Sequence, residues 1–260
     1  WPQSHQRAYT MLDYGVSANA PITLITGEVG AGKTTLLLHL VRSLGSEMTV
    51  GLISNPHGSR AELLRWVLHA LDQPAELDES YVDLFSRFQN FLLSEYAAGR
   101  SVVLIFDEAQ NLTAEALEEL RMFININSGK DEVLQLVLIG QPELRDLVSR
   151  PKMRQFAQRV AASYHLTAMD LKTVRGYIPH RLKVAGTEKR IFSAPAVKLI
   201  YDVTRGVPRL VNQLCDLAMV YAFTRGKQVV SAQTVQQVID DGVFFSANAV
   251  YDVSETSNDA

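Results

Sequence analysis

A single cysteine, Cys215, is all the thiol in this chain of 260 residues, so no internal disulfide can form and a reducing compartment is expected. The six histidines are scattered without metal-ligand spacing, and neither a zinc pattern nor a Ser-His-Asp arrangement is visible. An excess of positive charge is missing too. The 25 Lys and Arg against 28 Asp and Glu leave a net charge of −3, so no global basic field recruits nucleic acid. No apolar run approaches the roughly 18 residues of a membrane helix, and no signal peptide can be read. These absences predict a soluble, cytoplasmic protein with no direct membrane span, whose contact with the inner face of a membrane would need a partner or a removed segment. The first residue is Trp1 rather than Met, which is expected if an N-terminal piece has been trimmed. What the chain does have is a core: 47% of its residues are hydrophobic and 20% charged, which is ordinary globular composition.

Short β-branched and leucine-rich runs at 22–26, 50–54, 101–106 and 134–139 read as strands, and a fifth strand is expected at 160–166. Helical patterns at 34–44, 59–71, 80–98, 113–127 and a basic stretch at 145–159 alternate with them, after a short helix within 1–20. Strands that are almost continuously apolar and alternate with helices predict an α/β fold, a parallel sheet covered on both faces. Beyond Thr167 the pattern turns all-helical (170–184, 193–203, 207–225, 231–243), broken at Gly186, Gly206-Val207-Pro208 and Gly226. The expected organisation is a nucleotide-binding domain at 1–168, a small all-α domain at 169–245 and a flexible, acidic tail at 246–260.

Gly27-Glu28-Val29-Gly30-Ala31-Gly32-Lys33-Thr34 fits G-x-x-x-x-G-K-[ST] at every fixed position, directly behind a strand and directly ahead of a helix. Glycines let the backbone turn tightly enough to aim successive N–H groups at phosphate oxygens. The helix that begins near Lys33 adds the positive end of its dipole. The spacing predicts Lys33 on the β- and γ-phosphates and the Thr34 hydroxyl in a Mg²⁺ shell. Thr35 is expected to be structural, although it can touch an α-phosphate.

Val102-Val103-Leu104-Ile105-Phe106-Asp107-Glu108 delivers two adjacent carboxylates at the C-terminal end of a strand, where ligands bind in an open α/β sheet. Asp107 is expected to hold Mg²⁺, usually through water, and Glu108 to polarise the water that attacks a γ-phosphate. That acid pair favours hydrolysis to ADP over transfer to a substrate hydroxyl. In Leu138-Ile139-Gly140-Gln141-Pro142, the Gln141 amide either contacts the γ-phosphate or attacking water, or caps the following helix.

Arg150, Arg154 and Arg159 cluster just before the last strand. Such a cluster is either a solvated basic face or the source of an arginine for a neighbouring subunit's nucleotide, with Arg159 favoured over Arg154. Farther on, Val207, Leu210, Val211, Leu214, Ala218 and Tyr221 make one apolar stripe at helical spacing. Arg209 lies opposite that stripe in the first turn, where Pro208 fixes the helix start. From there it can swing onto a γ-phosphate and link nucleotide state to lid closure, or form a structural salt bridge. Cys215 reads as a core thiol, and His39 and His69 as packing residues within helices.

With both motifs, Gln141 and Gly206-Val207-Pro208-Arg209 in place, the chain resembles an AAA+ ATPase, and more narrowly the ExeA-type (general secretion pathway protein A-like) branch, which is related to transposition-regulator ATPases. Phe106-Asp107-Glu108-Ala109-Gln110-Asn111-Leu112 and Gln158-Arg159-Val160 carry the likeness as well. The resemblance implies a five-stranded parallel sheet in a three-layer αβα domain followed by a helical lid. It implies ATP with Mg²⁺ bound between subunits of a nucleotide-dependent ring or filament, Gln141 as sensor 1 and Arg209 as sensor 2. Two functions follow from it. One is an ATP-hydrolysing enzyme that assembles or remodels a partner complex of the secretion or envelope-polymer type. The other is an ATP-gated DNA-binding regulator of the transposition type that hydrolyses slowly as a timer, with Arg60, Arg65 and the 145–159 cluster on one face of a ring.

Overall fold

Apolar runs without polar alternation need a strand that is covered on both faces. In the computed structural model, which describes residues 2–56, 60–73, 75–76, 78–128 and 131–245, those runs form one parallel sheet. The first half of the chain makes α1 (Gln3–Ser17), β1 (Ile22–Gly27), α2 (Lys33–Ser43), β2 (Met48–Ser54), α3 (Arg60–Ala70), α4 (Tyr81–Ala97) and β3 (Ser101–Asp107). Next come a 3₁₀ turn (Ala109–Asn111), α5 (Ala114–Ile124), β4 (Asn127–Ser128), β5 (Asp131–Glu132) and β6 (Leu134–Gly140). Then follow α6 (Pro142–Val148), a second 3₁₀ turn (Pro151–Met153), α7 (Arg154–Ala157) and β7 (Val160–Leu166). The rest is helical: α8 (Leu171–Val184), α9 (Ala194–Thr204), α10 (Pro208–Thr224) and α11 (Ala232–Asp240). None of these helices is long and apolar enough to cross a membrane. Trp1 and the expected flexible tail at 246–260 lie outside the described residues.

The contacts divide the chain into two compact units, one of His5–Val29 and Lys33–Leu166, the other of Trp1–Ser4, Gly30–Gly32 and Thr167–Ala260. The first holds the five-stranded sheet in the order β2-β3-β6-β1-β7, every pairing parallel. Burial follows that order. Every residue of the inner strands β1 and β6 is buried, and all of β3 except its first, whereas the edge strands β2 and β7 mix buried with exposed positions. Phe88, Phe106, Phe123 and Phe156 fill the core of this unit, with the Phe88 and Phe123 rings 5.1 Å apart. The second unit packs α8 to α11 around Val174, Ile178, Ile200, Val211, Leu214 and Val238. Helix starts obey local chemistry. Ser80, Thr113, Asp170, Ser193 and Ser231 each accept a backbone N–H of their own first turn.

Two expectations need correction. The 145–159 stretch is not one helix. Pro151 forces Arg150 into an extended conformation (φ −67°, ψ 146°), so the chain splits into α6, a 3₁₀ turn and α7. The helix expected to reach 127 ends at Ile124, and β4 and β5 form a two-stranded antiparallel ladder behind it.

Gly15 shows how closely α1 rides on the sheet. A Cβ there would lie 2.0 Å from Thr23 Oγ1, 3.1 Å from its Cβ and 3.2 Å from its Cγ2, so turning the Thr23 side chain only exchanges one clash for another. An interior helical Gly→Ala change normally gains up to about 1 kcal/mol. Here Gly15→Ala is expected to destabilise by about 1–3 kcal/mol, read as a lower urea midpoint. A raised midpoint would show that α1 can lift away from β1 at no cost.

Candidate functional site

β3, β6 and β1 are neighbours in the sheet, with Phe106 level with Leu138 and Thr26 level with Gly140. Their C-terminal ends therefore share one edge, and the residues that follow carry the charged and amide side chains. Lys33 opens α2 and is only 6% exposed. Its ammonium donates to Gly27 O at 2.7 Å and Glu28 O at 3.0 Å. Burial pulls its pKa below the usual lysine value, while Glu108, then Asp107, Glu28 and Glu143, pull it back up. In the same loop Gly30 and Gly32 take φ of +78° and +100°, which glycine adopts without strain. Gly27 and Ala31 are buried; Glu28, Val29, Thr34 and Thr35 are exposed.

Asp107 ends β3 at 8% exposure. Its Oδ2 accepts the Thr34 hydroxyl at 3.3 Å, and its Oδ1 accepts the Glu108 N–H at 2.9 Å. Burial pushes the carboxyl above the usual range, against the pull of the Glu108 N–H. One hydroxyl and one carboxylate make a hard oxygen pair that fits Mg²⁺, an ion that keeps its other positions for water and phosphate.

Glu108 sits in the left-handed region (φ 53°, ψ 38°), which turns its side chain away from the strand direction. Its Oε2 accepts from Gln110 Nε2 at 2.6 Å and from Gln141 Nε2 at 3.3 Å. The Gln110 hydrogen bond, ahead of burial that acts the other way, holds this carboxyl below the usual range. Gln141 stands at the N-cap position of α6, but its side chain makes no capping bond there. Its amide is turned to Glu108 instead. The sequence assigns Gln110 no role; the only signal is an amide side chain two residues beyond the acid pair.

The arginines are placed differently. Arg150, Arg154 and Arg159 are all exposed. Arg159 donates to Asn125 Oδ1 at 3.1 Å and lies 3.6 Å from Glu132 Oε1. Arg209 is exposed in the first turn of α10, and within its own unit its backbone N–H donates to Gly30 O at 3.2 Å. Arg65 donates to the carbonyls of Glu76 and Glu79, which knits α3 to the segment after it. Cys215 is a buried thiol that burial pushes up to about 12. His39 and His69 lie within helices but are exposed, contrary to the packing expectation, because helical spacing turns both away from the Leu36-Leu37-Leu40 and Leu64-Val67-Leu68 faces. The centroids of the His39 and Tyr9 rings still lie 4.8 Å apart in a T-shaped arrangement.

The sequence matches a family profile described as an AAA domain over residues 16–148. It is 36% identical over 251 residues to general secretion pathway protein A of Aeromonas hydrophila, covering 94% of this chain and 46% of that protein. The chain spans about half the length of the curated relatives it matches. Among solved structures, Cdc6p from Pyrobaculum aerophilum superposes with a TM-score of 0.70 at 17% identity, covering 96% of this chain and 70% of that one. ORC2 of Aeropyrum pernix, solved in ADPNP–ADP complexes, superposes with a TM-score of 0.64 at 18% identity, covering 92% and 67%.

The raised Asp107 carboxyl makes stability depend on pH. The folded state holds this proton more tightly than the unfolded chain, so its stabilising effect is complete below the ordinary carboxylate range and is lost as pH rises through the folded value. Asp107→Asn keeps an oxygen for the Glu108 N–H and removes the buried charge. The ligand-free variant should unfold at higher urea than wild type at pH 7, with the advantage vanishing below about pH 4. Equal midpoints at pH 7 would mean that the ionised carboxylate costs the fold nothing.

Proposed function

The chain belongs to the AAA domain family, and from that premise we propose that it binds Mg-ATP at the shared end of β1, β3 and β6 and hydrolyses it to ADP and phosphate. We further propose that the cycle governs assembly of the chain with copies of itself and with a protein partner. The observation that carries the reading is the convergence of Thr34 Oγ1 on Asp107 Oδ2 at 3.3 Å, with Glu108 held beside them by two amides.

Each residue then has a task. The Lys33 ammonium exchanges its two carbonyl partners for β- and γ-phosphate oxygens, which carry more charge than a carbonyl. Thr34 and Asp107 present the protein oxygens for the metal. When bound, Mg²⁺ neutralises charge that builds between the β- and γ-phosphates. Glu108, ionised at neutral pH, takes a proton from the attacking water. Gln141, bonded to Glu108, orients that water. Arg159, exposed and supported by Asn125 and Glu132, is suited to reach a neighbouring copy's nucleotide, and Arg154 is the other exposed cation on that stretch. The likeness to general secretion pathway protein A supports a partner complex of the secretion or envelope-polymer type.

Lys33→Ala should reduce Mg-ATP affinity at least about 100-fold by titration calorimetry; undiminished affinity would remove the phosphate assignment. Glu108→Gln should bind Mg-ATP like wild type and lose about 10²- to 10⁴-fold in turnover. Held in its ATP-bound form, that variant should also shift to larger assemblies in sedimentation, with duplex DNA present or absent. Normal turnover in this variant would move the base elsewhere, and a monomer under every condition would remove the assembly step.

A further inference from the structure

We infer that Gln110 is a positioning residue for hydrolysis: its side-chain amide ties one oxygen of the Glu108 carboxylate to the end of β6 and leaves the other oxygen for water. The inference rests on the reading of Glu108 as the base. It stands on geometry within a single unit.

The orientation of the amide is fixed by chemistry. Gln110 Nε2 donates to Glu108 Oε2 at 2.6 Å, while Gln110 Oε1 accepts the backbone N–H of Gln141 at 2.9 Å. A flipped amide would set oxygen against carboxylate and N–H₂ against N–H, so only this assignment satisfies both partners. One side chain thus bridges the ends of β3 and β6. Gln141 Nε2 reaches the same Oε2 at 3.3 Å, so both amides address one oxygen and Oε1 is left to receive a proton.

The backbone around the bridge is built to hold it. The left-handed Glu108 starts the 3₁₀ turn, which Asn111 N–H closes onto Glu108 O at 3.0 Å, and this brings the residue-110 side chain back over residue 108. Ala109 is fully buried, and Asn111 Nδ2 donates to Asn55 Oδ1 at 2.6 Å, so the turn is anchored on both sides of Gln110. Gly140 at the end of β6 leaves room for it. A Cβ at Gly140 would lie 2.8 Å from Leu144 Cδ2, 3.0 Å from Gln110 Oε1 and 3.1 Å from Gln110 N. A side chain at 140 would therefore crowd the Gln110 amide as well as Leu144.

Two substitutions separate holding the turn from positioning the base. Gln110→Met keeps the length of the side chain and loses both hydrogen bonds. Gln110→Glu keeps an acceptor for the Gln141 N–H but turns a second carboxylate on Glu108. Both variants are expected to lose about tenfold in kcat with KM for Mg-ATP unchanged. In the Glu108→Gln background Gln110→Met should cost nothing further, because it acts through residue 108. Hydrogen exchange at the Gln141 amide should speed up in Gln110→Met and stay protected in Gln110→Glu. Wild-type kcat in Gln110→Glu, or a loss that adds to that of Glu108→Gln, overturns the inference. If the wild type binds Mg-ATP and never turns over, the base reading fails. A double-mutant cycle on urea unfolding then decides the bridge by itself: coupling between 108 and 110 keeps it, and additivity removes it.

Discussion

An ammonium group held almost out of water is the contact around which this molecule is arranged. Burying a cation is costly unless its donors are satisfied and opposite charge stands near. Lys33 meets that demand with two backbone carbonyls and with the field of Glu108 and Asp107. The dependence runs both ways, since two adjacent carboxylates at a buried strand end repel each other unless a cation offsets them. One ammonium against two carboxylates still leaves the site with an excess of negative charge. A polyphosphate would add to that excess, so under the proposed reading a divalent cation must accompany it. The Thr34 and Asp107 oxygens are the hard donors such an ion takes.

The sheet is what makes this charge arrangement affordable. Because β1, β3 and β6 are buried along almost their whole length, the apolar work of folding is done behind the site. Polar side chains can then gather at one end of the strands, where helix starts and turns supply N–H groups to answer them. Asp107 illustrates the compromise. It is buried enough for its charge to be costly, yet it is fixed by the Thr34 hydroxyl and the Glu108 amide, which under the proposed reading hold it ready for the metal.

Much of the architecture is legible in the sequence where residue pattern and breaker residues agree. Residues 193–203 and 231–243 read as helices from their pattern, and Ser193 and Ser231 cap the helices that form there. The break at 149–151 is signalled by Pro151, which a helix expected across the basic stretch 145–159 passes over. Other features leave no local trace. A left-handed glutamate is not marked by any residue preference, so the turn that swings Gln110 back over Glu108 is invisible until the backbone is seen. Arg159 reads as a free basic residue because Glu132 reaches it from a two-residue strand that periodicity is too short to reveal. Arg65, expected from the sequence as a phosphate contact, also donates to carbonyls of the segment that follows, a pairing that no local pattern marks.

Under the proposed reading, the partners around Glu108 suit what a base requires. A cation bonded to its carboxylate would hold it ionised so firmly that it could hardly accept a proton. An apolar surround would do the reverse and keep it protonated at neutral pH. Neutral amides avoid both extremes. Gln110 and Gln141 donate enough to keep the carboxyl below its usual range, while the Lys33 charge acts only as a weaker and more distant influence. Because both amides bind Oε2, the carboxylate is oriented through one oxygen, and under the proposed reading the other is the one that meets water. The stretch Glu108-Ala109-Gln110 and the step Gly140-Gln141 are therefore one device split between two strands. Its parts are fixed relative to each other by the β3–β6 pairing behind them, so the same hydrogen bonds that build the sheet also aim the carboxylate.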